Sequence, residues 1–265
     1  MAREPLSAVV TTFDNAATLG ACLASLRFAD EIVVLDSGST DATRDIAQAH
    51  GARVHVQAFA GYSAQKQAAI DLATHRWVLL LDSDEALPAL AAERVRAALE
   101  SPDAAGFELL RREWVFWRWQ PDRARLNHYV RLFDRTRAGM SGHEVHESVV
   151  VDGPVRRLDA IIDHYGERDI EGRVDKANRY SSLQIHDRRT RAPRLLRVRM
   201  VVYPTIAFIR YYLWRGHWRG GWAGFVAARV HAFYAFLKYA KLYELRQSRG
   251  QRQRDGALDA ERRDD

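Results

Sequence analysis

Apolar and polar positions along the first hundred residues switch repeatedly between two periods. Leu6–Thr12, Glu31–Leu35, Arg53–Val56 and Trp77–Leu81 are short runs rich in Val, Ile and Leu, the pattern of strands. Between them, Leu19, Cys22, Leu23 and Leu26 recur at i, i+3, i+4 and i+7, which predicts one apolar helix face. Thr40 is placed to cap a second helix that stops at Gly51. Ser63–Ala73 predicts a third helix, and Pro88, at a helix N1 position, opens a fourth that reaches Leu99. Strands alternating with helices across short loops predict a mostly parallel sheet covered by helices on both faces. Trp77–Leu81 is apolar throughout and is expected at the centre of that sheet.

After Gly106 the rhythm changes. Gly106–Arg111, His128–Phe133 and Val145–Val151 predict strands separated by loops, so the second half is expected to be mixed. Ile170–Asp187 predicts a helix. Two amphipathic segments follow beyond Ala192, interrupted by Gly216–Gly224, and periodicity ends near Leu245. The expected organisation is an α/β domain over 1–190, a basic aromatic helical extension over 191–245, and a frayed charged tail over 246–265.

Sheets of this kind bind ligands beyond the carboxyl ends of their strands. Three polar sets fall there: Thr12, Asp14 and Asn15; Asp36 and Ser37; and Asp82, Ser83 and Asp84. Asp82 and Asp84, two carboxylates one residue apart, offer hard oxygen ligands suited to Mg²⁺ or Mn²⁺, which in turn bridge a diphosphate. An isolated Asp-x-Asp reads best as a solvated turn. Its position after a buried strand, with two further polar sets on the same edge, favours the metal. Asp36 is placed to accept from a nucleobase or ribose, with the Ser37–Thr40 turn beside it. Thr12 and Asp14 are placed to line the other side of the base, and Lys66 is a helical cation within reach of a donor. The run His143-Glu144-Val145-His146-Glu147 supplies candidate general bases. As a strand it would send Glu144 and His146 one way and Glu147 the other. It is not His-Glu-x-x-His, and a zinc site from His143, His146 and His164 is the lesser reading.

Composition narrows the picture further. Of 265 residues, 47% are hydrophobic and 28% charged, which excludes disorder as the dominant state. The single cysteine, Cys22, permits no internal disulfide and sits on an apolar helix face, where a core residue is expected. No apolar run approaches the ~20 residues needed to span a bilayer, and the N-terminus lacks a signal-like stretch. A cytoplasmic protein is expected. The net charge of +6 is unevenly spread: Arg188 to Tyr243 holds twelve Lys or Arg and no Asp or Glu, while the remainder holds 28 basic against 34 acidic residues. This segment also carries Phe208, Tyr211, Tyr212, Trp214, Trp218 and Trp222. Arg and aromatics together in amphipathic helices predict a protein peripheral on the inner face of the cytoplasmic membrane; the competing partner for such charge is nucleic acid.

Taken in order, Val-Val-Thr-Thr-Phe-Asp-Asn (9–15), Asp-Ser-Gly-Ser-Thr-Asp (36–41), Ala-Gln-Lys-Gln (64–67) and Leu-Leu-Leu-Asp-Ser-Asp-Glu (79–85) resemble the family 2 inverting glycosyltransferases of GT-A fold. More narrowly they resemble the branch containing lipopolysaccharide core β-1,4-glucosyltransferases. The resemblance continues through Arg131-Leu132-Phe133, His146-Glu147, Val151–Pro154 and His164-Tyr165, and covers roughly residues 6 to 245. It implies that Asp14 and Asp36 hold the nucleotide, Asp82 the ribose–metal region and Asp84 the metal. His164 is, by its own chemistry, a candidate third ligand, with a structural histidine the equal alternative. The resemblance also implies Glu147 as the base, a nucleotide-sugar donor such as UDP-glucose, and a glycolipid or lipopolysaccharide acceptor. Glu144 or an acid elsewhere is the alternative base, and nucleic acid is not expected as a partner. Two stretches depart from the family pattern: Phe13-Asp14-Asn15, where Tyr-Asn-Glu is common, and Pro121–His128, which lacks the usual aromatics.

Three rivals fit less well. An aspartate-type phosphatase wants Thr or Val where this chain has Ala86, and carries its Asp pair on the first strand. A nucleic-acid-binding protein using the basic segment leaves the acidic strand ends unexplained. A nucleotidyltransferase would show a Gly-rich loop after the first strand, where this chain has Thr11-Thr12-Phe13-Asp14-Asn15.

Overall fold

The computed structural model describes residues 3–121, 124–142, 148–167, 169–187 and 195–264. The chain divides into two compact units. The first comprises Met1–Trp114 and Leu126–Gly166, the second Val115–Arg125 and Glu167–Asp265. This boundary falls before the helix at Ile170, earlier than the expected break at 190, and assigns Val115–Arg125 to the second unit.

The first unit opens with β1 (Leu6–Thr12), α1 (Ala16–Ser25), β2 (Glu31–Asp36), α2 (Thr43–Ala49), β3 (Arg53–Val56), α3 (Tyr62–Asp71) and β4 (Trp77–Asp82). It continues with β5 (Glu85–Ala86), α4 (Ala89–Ala98) and β6 (Gly106–Val115). After β7 (Arg118–Trp119), which lies in the second unit, come β8 (Asn127–Asp134), β9 (Ala138–Met140), β10 (Val149–Val151) and β11 (Val155–Glu167). The main sheet runs β3-β2-β1-β4-β8-β6-β11-β5, and β9 and β10 form a separate antiparallel pair. Strands β3, β2, β1 and β4 are mutually parallel, whereas β8 is antiparallel to both β4 and β6. The sheet is thus parallel in the first half and mixed in the second, as the change of pattern after Gly106 predicts.

Alternate residues of the central strands enter opposite cores. Ala8, Val10, Leu79 and Leu81 pack with Leu19, Cys22 and Leu23 of α1 and Ala91 and Val95 of α4. Val9, Val33, Val78 and Leu80 pack with Ala69 and Ile70 of α3. Burial on both faces explains why these strands read as continuous apolar runs. Cys22 is buried and free, as expected of a core residue.

Register aligns the strand ends. Thr12 pairs with Asp36 across β1 and β2, and Thr11 with Asp82 across β1 and β4. All three polar sets therefore emerge at one edge.

The second unit contains α5 (Ile170–Asp187), α6 (Leu196–Ile209), a π-helical turn at Arg210–Trp214, a short 3₁₀ turn at His217–Gly220 and α7 (Gly221–Asp264). Leu196 of α6 packs on Tyr239 and Leu242 of α7, with Met200 and Tyr243 beside them. Lys241 Nζ of α7 has four oxygens of α5 within hydrogen-bond distance for its three N–H groups: the Asn178 carbonyl and side chain, at 2.7 Å each, and Ser181 and Ser182 Oγ, at 2.8 Å each. The backbone of α7 stays helical to Asp264, where a frayed tail is expected from the sequence. No helix among the described residues is long and apolar enough to cross a membrane.

Candidate active site

Three loops at the carboxyl edge are tied together by their own side chains. Asp14, at positive φ (43°), accepts from Thr40 N at 2.7 Å, and its own N–H donates to Ser39 Oγ at 2.8 Å. Asn15 donates from its side chain to Ser83 Oγ at 2.8 Å. Asp41 accepts from Thr43 N at 2.9 Å, and α2 begins at Thr43 with Ala42, not the expected Thr40, at its N-cap. Such cross-links hold the strand ends in one arrangement.

Asp36 is fully buried and spends its carboxylate on its own turn, accepting from Gly38 N (3.0 Å), Ser39 N (2.8 Å) and Ser39 Oγ. Ser37 donates its backbone N–H to Thr12 O at 2.9 Å. In this geometry Asp36 shapes the edge from within. Thr12 is also buried, yet its Oγ1 has no hydrogen-bond partner, and neither has Gln65 Oε1 on α3. Buried polar atoms are normally satisfied, and these two, like His50 Nδ1, His55 Nε2 and Arg131 Nε, have acceptor or donor capacity left over.

Asp82 lies between two cations. Its Oδ1 is 2.8 Å from Lys66 Nζ and its Oδ2 is 3.0 Å from Arg131 Nη2. Burial disfavours its charge, but Arg131 and Lys66 outweigh that and hold the carboxyl far below the usual range. Arg131 also reaches Glu85 Oε1 at 2.7 Å, and Glu85, with no exposed surface, accepts from Asp82 N at 3.0 Å. Burial pushes the Glu85 pKa upward, reinforced by Asp82, while Arg131 and Arg111 work against it.

From Glu85 the alternation of charge continues. Arg111 lies 3.5 Å from Glu85 and donates to Glu113 Oε1 at 2.9 Å. Glu113 Oε2 bonds His164 Nδ1, and His164 Nε2 faces Asp84 Oδ2 at 3.2 Å. Although burial opposes both ionisations, the bond to His164 and the charge of Arg111 lower Glu113 to about 2, and Asp84 and Glu113 raise His164 to about 9. Lys66, Asp82, Arg131, Glu85, Arg111, Glu113, His164 and Asp84 therefore form one chain of alternating sign. A cavity of about 290 Å³ opens beside it, lined by Lys66, Asp82, Arg111, Tyr129, Arg131 and Ser148 among others.

Asp84, Asp82, Lys66 and His164 are thus brought into one chain, while Thr12, Asp14, Asp36 and Ser37 form the neighbouring edge. Glu144, Glu147, His143 and His146 lie outside the described residues. Glu85, Arg111 and Glu113 join the site unpredicted. Charges at Arg111 and Glu113, two apart on a strand and hence on one face, were the available signal.

The donor chemistry fits a divalent cation at Asp84 and His164. With Nδ1 held by Glu113, the usual support of a metal-bound histidine, His164 turns Nε2 toward Asp84; a cation there would take the place of the Nε2 proton. Asp82 fits less directly, since both its oxygens already face cations. No group of three or more His, Cys, Asp or Glu among the described residues forms a metal cage. A bound ion would need oxygens from its substrate or from water.

A doubly covered, largely parallel sheet with carboxylates and cations gathered at one strand edge defines an α/β protein with a charged candidate site beyond its strand ends. The sequence model described as glycosyl transferase family 2 matches residues 7–157, and the chain belongs to that family. Its architecture is the GT-A fold, and sugar transfer is its activity. It is 31% identical over 250 residues to a lipopolysaccharide core biosynthesis glycosyltransferase, LpsC, of Rhizobium meliloti (strain 1021), covering 91% of this chain and 92% of that one. An uncharacterized glycosyltransferase of Rickettsia felis is 29% identical over 255 residues, 91% of this chain and 90% of that one. Among solved structures, glucosyl-3-phosphoglycerate synthase from Mycobacterium tuberculosis, in complex with Mn²⁺, UDP and phosphoglyceric acid, aligns at 24% identity with a TM-score of 0.35. That slight likeness covers 42% of this chain and 43% of that one.

Proposed function

We propose that the protein transfers a hexose, glucose first among the candidates, from a uridine diphosphate donor to a glycolipid or lipopolysaccharide core sugar, with inversion and with Mg²⁺ or Mn²⁺ assisting. The observation that carries this reading is the Glu113–His164–Asp84 relay at the carboxyl edge of the parallel strands. Asp84 and His164 would hold the cation, and Glu113 fixes which imidazole nitrogen faces it. The cation, when bound, neutralises charge on the departing diphosphate.

The chain's own residues supply the rest. Lys66 and Arg131 keep Asp82 ionised, so it can accept a hydrogen bond from a ribose hydroxyl while the two cations add positive charge near the phosphates. Thr12 Oγ1 and Gln65 Oε1 have capacity for the polar edge of a base or ribose. Asp14 and Asp36 serve the nucleotide by holding the loops that border it. Glu147 is the proposed base, with Glu144 the alternative. It removes the acceptor hydroxyl proton as the oxygen attacks the anomeric carbon, a contribution of roughly 10²–10⁴ in rate. Ser148, next in the chain, lines the cavity beside Asp82.

The lipopolysaccharide relative supports the acceptor class. An acceptor held in a bilayer places the protein at the inner face of the cytoplasmic membrane, a location that suits the basic aromatic segment.

The test is release of UDP from UDP-glucose with Mn²⁺ or Mg²⁺, then with EDTA, for the wild type and Asp84→Asn. The expected outcome is metal-dependent release that falls at least 100-fold in the variant, with NMR of the product showing the inverted anomer. Metal-independent release, unchanged in Asp84→Asn, would overturn the reading.

A further inference from the structure

Helix α6 is apolar on two sides, and only one is used within its unit. Leu196 and Met200 pack against Tyr239, Leu242 and Tyr243 of α7, Tyr203 meets Tyr239 with ring centroids 5.3 Å apart, and Phe208 meets Phe225 at 5.8 Å. The other side is open to solvent. Val198 is 53% exposed, Val201 70%, Ile206 and Ile209 50% each, and Leu213 57%, with Leu195 and Val202 also exposed. At 3.6 residues per turn those within α6, Val198, Val201, Val202, Ile206 and Ile209, fall within an arc of about 140°, interrupted only by Thr205, and Leu213 follows in the π-helical turn. Trp214 follows at 78% exposure, and Trp218 and Trp222 are exposed in the turns after it.

Contiguous exposed apolar surface of this kind marks an interaction face. Its borders say which. Arg199 and Arg210 flank the arc on one side and Arg197 on the other, and no Asp or Glu occurs between Arg188 and Tyr243. A second copy of the chain packed face to face would set arginine against arginine, because a two-fold contact presents the same patch from both sides. Nor would an apolar stripe be needed for a purely electrostatic ligand. An apolar band bordered by arginines and followed by exposed tryptophans instead matches the interfacial layer of an anionic bilayer, with hydrocarbon below and phosphates at the rim.

We infer that α6 and the π-helical turn after it are a membrane-docking element. The helix lies in the plane of an anionic lipid surface with Val198, Val201, Ile206, Ile209 and Leu213 downward and the flanking arginines on lipid phosphates. This inference rests on the proposed membrane-held acceptor. It goes further in naming the face and the lipid chemistry.

The experiment uses the full chain and two vesicle types, phosphatidylglycerol mixed with phosphatidylethanolamine, and phosphatidylcholine alone. Co-sedimentation is measured for the wild type and for Val201→Asp with Ile209→Asp, two exposed positions that leave the packed side of α6 intact. Circular dichroism of the variant checks its helix content, and UDP release from UDP-glucose in detergent-free buffer is measured on both proteins. The expected result is binding to the anionic vesicles, at least tenfold weaker in the variant, weakened by salt, with lipid-free UDP release unchanged. Brominated lipid should quench tryptophan fluorescence in the wild type, and should quench it less in the variant. Failure of the wild type to bind anionic vesicles, or equal binding by a folded variant, overturns the inference. So does a wild-type dimer that the substitutions dissociate without any vesicle binding, since the face then belongs to a second copy. Intact UDP release in any of these failures leaves the donor chemistry standing, whereas loss of UDP release in both proteins bears on the catalytic reading alone.

Discussion

Glu113 touches no loop of the nucleotide edge, yet it sets the state of the residue that matters there. By holding His164 Nδ1 it leaves Nε2 facing Asp84. Glu113→Gln keeps the shape and removes the charge, so Mn²⁺ affinity, followed by electron paramagnetic resonance, is expected to fall about 10–100-fold. Gly166 guards the same geometry. A Cβ there would lie well inside contact distance of the His164 ring, so Gly166→Ala should displace the imidazole and reduce UDP release while thermal stability changes little. Arg131, 6% exposed, has a different role, because its removal takes from the fully buried Glu85 its nearest cation, at 2.7 Å, and leaves Asp82 with Lys66 alone. Arg131→Met is expected to cost about 3–5 kcal/mol in a urea titration, the range for breaking a buried pair by deleting one partner. At this scale the sequence singled out Asp82 and Asp84 because polar residues after an apolar strand have few places to go, whereas Lys66 on α3 and His164 within β11 were candidates by residue type alone. It did not show that Asp36 spends its carboxylate on Gly38 and Ser39, nor that Glu85 is buried, since both depend on where neighbouring loops fold back.

Elements with a single clear period were legible, and those with mixed signals were not. β1, β2, β3 and β4 stand within a residue of their expected bounds, and α5 covers Ile170–Asp187 as the pattern predicts. β11 was not predicted. Its Leu158, Ala160 and Ile162 do alternate into the core, but Arg156, Arg157, Asp159 and Asp163 obscure the pattern in sequence. α6 was expected as an amphipathic segment, yet it carries Pro204 and an apolar outer side that a simple moment does not reveal. In the second unit, His231 stacks on Tyr211 at 4.4 Å. Its pKa is lowered to about 4, by burial first and then by Arg173, Arg215, Lys238 and Arg210. A histidine held neutral contributes stability in full above its unfolded value near 6.5, and loses that contribution as pH falls toward 4. The unfolding free energy, from denaturant titrations followed by circular dichroism, should therefore fall between pH 7 and pH 4.5 by an amount on the order of 2–3 kcal/mol. His231→Phe, which preserves the stack, should flatten that slope.

Across the whole molecule, charge is partitioned by segment more than by total. The acidic remainder carries the strand-edge carboxylates, and the basic segment from Arg188 to Tyr243 carries the exposed apolar helix face. A net charge of +6 alone would not separate these roles. The family was legible from four ordered motifs because three run over the ends of β1, β2 and β4, and the fourth lies on α3, all at positions that the fold constrains. Donor sugar and acceptor were not, since they depend on side-chain contacts assembled from distant segments.

The most direct measurement of the central claim, that Asp84 and His164 supported by Glu113 couple a divalent cation to a nucleotide diphosphate, is calorimetric titration of UDP with and without Mn²⁺. For the wild type, UDP affinity should rise at least tenfold with the metal, and that gain should vanish in Asp84→Asn and in His164→Ala. Equal UDP affinity with and without metal, or a full metal effect retained in both variants, would contradict the account.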